Sequence, residues 1–163
     1  MLRWEDRPTE VANHLNPAFC SLLLFEAVSG YSERSGQGMA YPLAFLVLPI
    51  VLHKPTREIL PRNTRTRLHT WIQSSSSSKI GFVRRAQSLK GYTQESLIFG
   101  LQRGMLDVDE VGLLVTTRRS MPKLPAPSDS EPNDIRKRAA FLGKWFADAG
   151  DVGTVLAMWG VRP

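Results

Sequence analysis

The chain has 163 residues, of which 42% are hydrophobic and 22% are charged, a balance that fits one folded domain and excludes an intrinsically disordered protein. It carries 21 Lys and Arg against 15 Asp and Glu, and this net charge of +6 favours acidic partners such as nucleic acid, anionic lipid or an acidic protein face. Its one cysteine, Cys20, cannot form an internal disulfide, and its apolar neighbours predict a buried thiol rather than a nucleophile.

Residues 1–16 are predicted to form an N-terminal arm, in which Trp4 stands among charged residues and is a candidate partner contact. This N-terminus lacks the apolar stretch of a signal peptide. The longest apolar run, residues 41–52, is shorter than the roughly twenty residues that span a bilayer. We therefore expect a cytoplasmic protein with no membrane partner.

Two helices follow the arm. The first is predicted over residues 17–34, with Asn16 as its N-cap and with Gly30 and the glycines at 35–38 ending it. The second, over residues 42–53, is apolar on all sides and must be buried. Pro49 should kink or break this helix, and its Val and Ile content leaves a pair of short buried strands as the alternative.

The next segments are basic, then serine-rich, then helical. Asn63 or Thr64 is predicted to cap a third helix, and serines 74–78 to form a flexible loop. Further helix is expected over residues 79–104, in two pieces broken near Gly91. The stripes expected to face the core are Leu68, Trp71 and Ile72 in the third helix and Ile80, Val83, Ala86 and Leu89 in the fourth.

The last third of the chain changes character. Residues 105–117 read as two short strands around an acidic turn at 109–110, and residues 120–132 as a loop. An amphipathic helix is predicted over 133–148, followed by an apolar terminal segment that must pack on something. The inner face of the helix is predicted to consist of Ile135, Ala139, Leu142, Trp145 and Phe146.

The positive charge is concentrated in residues 54–90, which hold nine basic side chains and one acidic one, Glu58. Residues 91–163 hold nine of each sign, so the excess lies on either side of the serine loop. If the two basic clusters fold together, they form one surface that contacts DNA or an acidic partner. The candidate residues are Lys54, Arg57, Arg62, Arg65, Arg67, Lys79, Arg84 and Arg85.

Two helices, a basic helix and a two-stranded turn follow one another in the order of a winged helix-turn-helix domain. The sequence therefore predicts a mainly α fold with a small β-hairpin, arranged as a winged helix-turn-helix-like single domain. This domain covers residues 17–163 and includes a C-terminal helical extension. The same fold also serves as a protein-docking module, so the fold alone does not choose between DNA and protein as partner.

No pattern in the sequence indicates catalysis. His14, His53 and His69 lack metal-binding spacing, and one cysteine excludes a thiolate zinc site. The chain has neither a GxSxG motif nor a glycine-rich nucleotide loop. We therefore expect no catalytic residues, no metal and no cofactor.

Three stretches carry a family resemblance: residues 4–20 (WEDRPTEVANHLNPAFC), residues 41–53 (YPLAFLVLPIVLH) and residues 61–68 (PRNTRTRL). The chain resembles the small middle component of bacterial three-component ABC-ATPase conflict systems, most closely over residues 1–75. The resemblance implies a non-enzymatic adaptor in defence against phage or other invading DNA. Its implied partners are an ABC ATPase of the SMC or Rad50 type and a third system component, with double-stranded DNA as a further option. The alternative is a stand-alone winged-helix transcriptional regulator.

Overall fold

The structure is a computed structural model that describes residues 15–118, 121, 127 and 129–161. The predicted arm with Trp4 and most of the predicted loop 120–132 lie outside these residues. Seven α-helices are described: α1 (Pro17–Ser35), α2 (Tyr41–Val51), α3 (Lys54–Ile59), α4 (Leu68–Ser74), α5 (Phe82–Gln102), α6 (Glu131–Ala147) and α7 (Val152–Met158). The three short strands are β1 (Met39–Ala40), β2 (Leu106–Val108) and β3 (Leu113–Thr116), and a 3₁₀ turn covers Ser76–Lys79.

Helix α1 begins and ends where its capping residues predict. The Asn16 side chain accepts a hydrogen bond from the Ala18 amide at 2.9 Å. Gly36 has a φ of 73°, and its amide donates to the Ser32 carbonyl at 2.8 Å. Gly30, expected to end the helix, instead lies buried within it.

The apolar run at 41–52 forms helix α2, which excludes the alternative of two strands. Most of its side chains are buried, and it contacts helices α1, α5, α6 and α7. Pro49 lies inside the helix, which continues to Val51, so the proline does not break it. Neighbouring elements cover this segment, so its backbone N–H and C=O groups are shielded from water. A helix provides hydrogen-bond partners for these groups within the segment itself.

The predicted hairpin is confirmed, and it belongs to a slightly larger sheet. β2 and β3 pair antiparallel, with Asp109 at the turn accepting hydrogen bonds from the amides of Val111 and Leu113. β1 adds to the other edge of β3, which gives the strand order β1-β3-β2. A two-residue strand leaves no period-2 pattern in the sequence, so β1 was not predicted.

Three predictions within residues 54–104 were wrong. The third helix begins at Leu68, with Arg67 at its N-cap position, so its flanking arginines precede the helix. Helix α5 continues through Gly91 without a break. Ile80 and Val83 are 76% and 40% exposed, and the fully buried residue at this end of α5 is Phe82.

Helix α6 matches its prediction, and all five predicted inner-face residues are buried. Its interface with α1 is the most extensive between any two described elements. The terminal segment also packs as expected, because Val155, Leu156 and Trp159 are buried. Trp159 lies between Phe82 and Trp71, with ring centroids 4.5 and 6.0 Å away.

A substitution of glycine in the α1–α6 interface tests this packing. A Cβ added to Gly143 would lie less than 3.0 Å from the Ala27 carbonyl oxygen, which belongs to a helix backbone that cannot move alone. Gly143→Ala should lower the free energy of unfolding by about 3 kcal/mol, measured by urea denaturation. Gly153→Ala is the control, since its Cβ would meet only the tip of Asp151, and should change stability by less than about 0.5 kcal/mol. Equal effects of the two substitutions would contradict a close helix crossing.

Candidate partner-binding surfaces

Arg57 does not lie on the predicted basic face. Its side chain is 4% exposed, and Nη1 donates a hydrogen bond to the Val51 carbonyl at 2.7 Å. Nη2 donates to Glu131 at 2.5 Å, and Nε lies 3.3 Å from an Asp134 oxygen. The guanidinium therefore joins the end of α2 to the start of α6, and it has a structural role instead of the predicted role in partner contact.

Substitution of Arg57 should destabilise the folded protein. Arg57→Ala should lower the free energy of unfolding by about 3 kcal/mol, because a cavity opens and the Val51 carbonyl loses its donor. Arg57→Lys should recover only part of this loss, since an ammonium cannot reach both neighbours as the planar guanidinium does. Arg62→Ala, at an exposed position, is the control and should cost less than about 0.5 kcal/mol. Urea denaturation distinguishes these outcomes, and a neutral Arg57→Ala would refute the structural role.

Arg62, Arg65 and Arg67 are exposed, and they lie on the loop that leads into α4. Two tryptophans hold this loop: Trp145 Nε1 donates to the Thr66 carbonyl at 2.7 Å, and Trp71 Nε1 donates to the Ile59 carbonyl at 3.0 Å. The two indole rings meet edge to face, with centroids 5.3 Å apart. Ordinary core packing therefore fixes the backbone that presents the three arginines to solvent.

Helix α6 contributes charge beside this loop that the sequence analysis did not assign to the basic face. Arg62, Lys137, Arg138 and Asp134 line a shallow cavity of about 280 Å³ together with Phe141. Arg138 Nη1 also donates to the Pro61 carbonyl at 3.1 Å. Only the tertiary contact between the loop and α6 brings Lys137 and Arg138 next to Arg62, because they are remote from it in the chain. We call the three exposed loop arginines and Lys137 the arginine-loop face.

The remaining predicted basic residues border other elements. Lys54 is exposed, and its Nζ lies 3.9 Å from a carboxylate oxygen of Glu58 one turn along α3. Lys79 is exposed at the end of the 3₁₀ turn, and Arg84 is exposed in the first turn of α5. Arg85 is half-buried, and its Nε donates to the Pro49 carbonyl at 3.2 Å. Burial lowers the pKa of Arg85. The candidate residues on either side of the serines thus lie against different helices, α6 for Arg62 and the end of α2 for Arg85.

The side chains also bear on possible chemistry. Cys20 is buried, as predicted, and this burial raises the pKa of its thiol to about 12, which keeps the sulfur protonated at neutral pH. Within the described part of the chain, no group of three or more His, Cys, Asp or Glu side chains is arranged to hold a metal ion. No described helix combines the length and the apolar character needed to cross a bilayer.

An apolar groove lies between α2 and α5. It has a volume of about 700 Å³, and its floor includes Leu46, Ala86 and Leu156. Tyr41 and Val83 at its walls are 45% and 40% exposed. Sequence reasoning missed this groove, because it assigned Val83 to the core on the basis of helical spacing.

A mainly helical domain with a three-stranded sheet and both charged and apolar open surfaces fits a subunit of a multi-component assembly. Comparison with protein families identifies the kind of assembly. The chain belongs to the middle components of ABC-three component systems. The match is to the ABC-three component (ABC-3C) system Middle Component 3 family, and it covers residues 4–163. No curated protein and no solved structure shows significant similarity to the chain.

Proposed function

We propose that this protein is a non-enzymatic adaptor that bridges an ABC ATPase of the SMC or Rad50 type to a third component of its system, in defence against phage or other invading DNA. The observation that carries the proposal is membership of a middle-component family over residues 4–163. A component of a multi-protein system has partners by definition.

The arginine-loop face is assigned to the contact with DNA or with an acidic face of a partner. Arg62, Arg65 and Arg67 are exposed and are presented by a loop held on the tryptophan core. Exposed cations on a fixed backbone accelerate encounter with anionic partners and make binding salt-dependent. Arg57 is left out of this face because it is buried.

The bridging role is tested by co-expression. The tagged protein, produced with the other components of its system, should co-purify with the ATPase in a fixed ratio that survives nuclease treatment. Purification of the protein alone would contradict the adaptor proposal, and purification only with DNA would favour a regulator.

Charge reversal tests the arginine-loop face. The triple variant Arg62→Glu, Arg65→Glu and Arg67→Glu should abolish binding either to duplex DNA or to a system component, because attraction becomes repulsion. Gel-shift and pull-down assays measure the two. The control reverses three exposed basic residues elsewhere, Lys54, Arg103 and Arg118, and so has the same net charge. Unchanged binding to both partners by the first variant would remove the claim, as would equal losses in the two variants.

A second candidate function, a stand-alone winged-helix regulator, is favoured by the topology. The elements α1, β1 and α2 are followed, after the short helices α3 and α4, by α5 and the β2–β3 hairpin. In the sheet, β1 lies beside β3. In a winged helix with this order, α5 would be the recognition helix and the turn at 109–112 the wing. This candidate predicts a symmetric dimer that binds duplex DNA in a salt-dependent manner without any other component.

A further inference from the structure

We propose that the α2–α5 groove is the docking site for an amphipathic helix with an acidic rim, supplied by another component of the same ABC system. This inference rests on the proposed adaptor function and names the surface through which one partner is held. The arginine-loop face lies on other elements, α6 and the loop before α4, so the groove is a separate site.

The shape of the groove fits a helix. Along one wall, Val83, Gln87, Lys90 and Gln94 follow one another at i, i+4, i+7 and i+11, which places them in one row on α5. This row extends about 16 Å at 1.5 Å per residue, the length of about three turns of a docked helix. The opposite wall is the first part of α2, where Tyr41 and Phe45 form an edge-to-face ring pair 5.1 Å apart.

The chemistry of the groove favours apolar side chains from the partner. Leu46 and Leu156 are buried at its floor, and apolar Tyr41 and Val83 are left half-exposed at its walls. An exposed apolar surface of this kind, rimmed by polar residues, is typical of a protein interaction site. Both walls are helices whose backbone groups are hydrogen-bonded internally, so an extended strand has no edge to join, whereas a helix can insert apolar residues at i, i+3 or i+4 and i+7.

Charge determines which helix fits. Among the described residues that line the groove, Lys90 is the one that carries a charge, and Arg84 is exposed nearby on α5. The groove residues that the structure describes include no carboxylate. A partner helix with Asp or Glu beside its apolar stripe would therefore pair with Lys90. A second copy of this chain fits poorly by the same face, because two concave grooves do not fill each other and Lys90 would oppose Lys90.

The test measures affinity for purified components. The wild-type protein and its variants are titrated by biolayer interferometry with the ATPase and with the third component of the same system, each purified alone. Val83→Glu puts a carboxylate on the apolar wall, and Lys90→Glu reverses the rim charge. Each should weaken binding to one component about tenfold or more. Circular dichroism checks that each variant is folded, and both positions are exposed enough to tolerate the change.

The matched control is Ile98→Glu, on the same helix and with the same loss of an apolar side chain. Ile98 is 54% exposed and does not line the groove, so this variant should bind as the wild type does. If Val83→Glu and Lys90→Glu bind as tightly as Ile98→Glu, the groove proposal is overturned while the adaptor function stands. If the wild-type protein binds neither component, both proposals fall.

The identity of the occupant is checked separately by photo-crosslinking in the assembled complex. A benzophenone side chain introduced in place of the exposed Gln87 should crosslink to an acidic helical segment of another component. The same group at position 98 serves as the control and should give no such product. A crosslink from position 87 to residues 1–14 of this chain, or to a second copy of it, would overturn the proposed occupant.

Discussion

The fold depends on the close approach of helices α1 and α6. Gly30 faces the Ala140 carbonyl, and Gly143 faces the Ala27 carbonyl, and a Cβ at either glycine would lie under 3.0 Å from the facing oxygen. Two helices meet this closely only where neither has a side chain at the crossing. Each missing side chain brings the flanking residues of both helices into van der Waals contact, so the largest interface of the domain depends on these two positions.

Ion pairs between the two helices show the direction of this crossing. Glu26 pairs with Arg136 near one end, and Arg34 Nε donates to Asp148 at 2.6 Å at the other. Because the partners follow the same order along both helices, α1 and α6 lie parallel. Parallel neighbours need a long connection, and here the intervening chain forms α2 to α5 and the sheet. Most residues of the surfaces proposed for partners therefore belong to the elements that lie between α1 and α6 in the chain.

Three tryptophans connect the packed core to the loop that carries the exposed arginines. Trp145 on α6 contacts Trp71 on α4, and Trp71 contacts Trp159 after α7. The indole nitrogens of Trp145 and Trp71 bond to carbonyls of residues 66 and 59, which bracket the arginine loop. An adaptor that joins two partners requires two separate faces, and a rigid core between them fixes their relative orientation. In the proposed function, the charged face contributes encounter rate and the apolar groove contributes the retained contact.

The sequence by itself determined the class of the fold and most of its elements. The cap at Asn16, the all-round apolar run of α2, the hairpin at 106–116 and the inner face of α6 were predictable because local caps and periodicity carry that information. The three matching stretches also indicated the middle-component family, which the comparison over residues 4–163 confirmed.

Only the tertiary structure decided which side chains are available. Spacing along a helix identifies a face, but it does not tell whether another element covers that face. Val83 was therefore assigned to the core although it borders an open groove, and Arg57 was assigned to the partner-binding basic face although it is buried against Val51 and Glu131. The proximity of Lys137 to Arg62 was also not predictable, because contacts between segments that are remote in the chain form only when the chain packs.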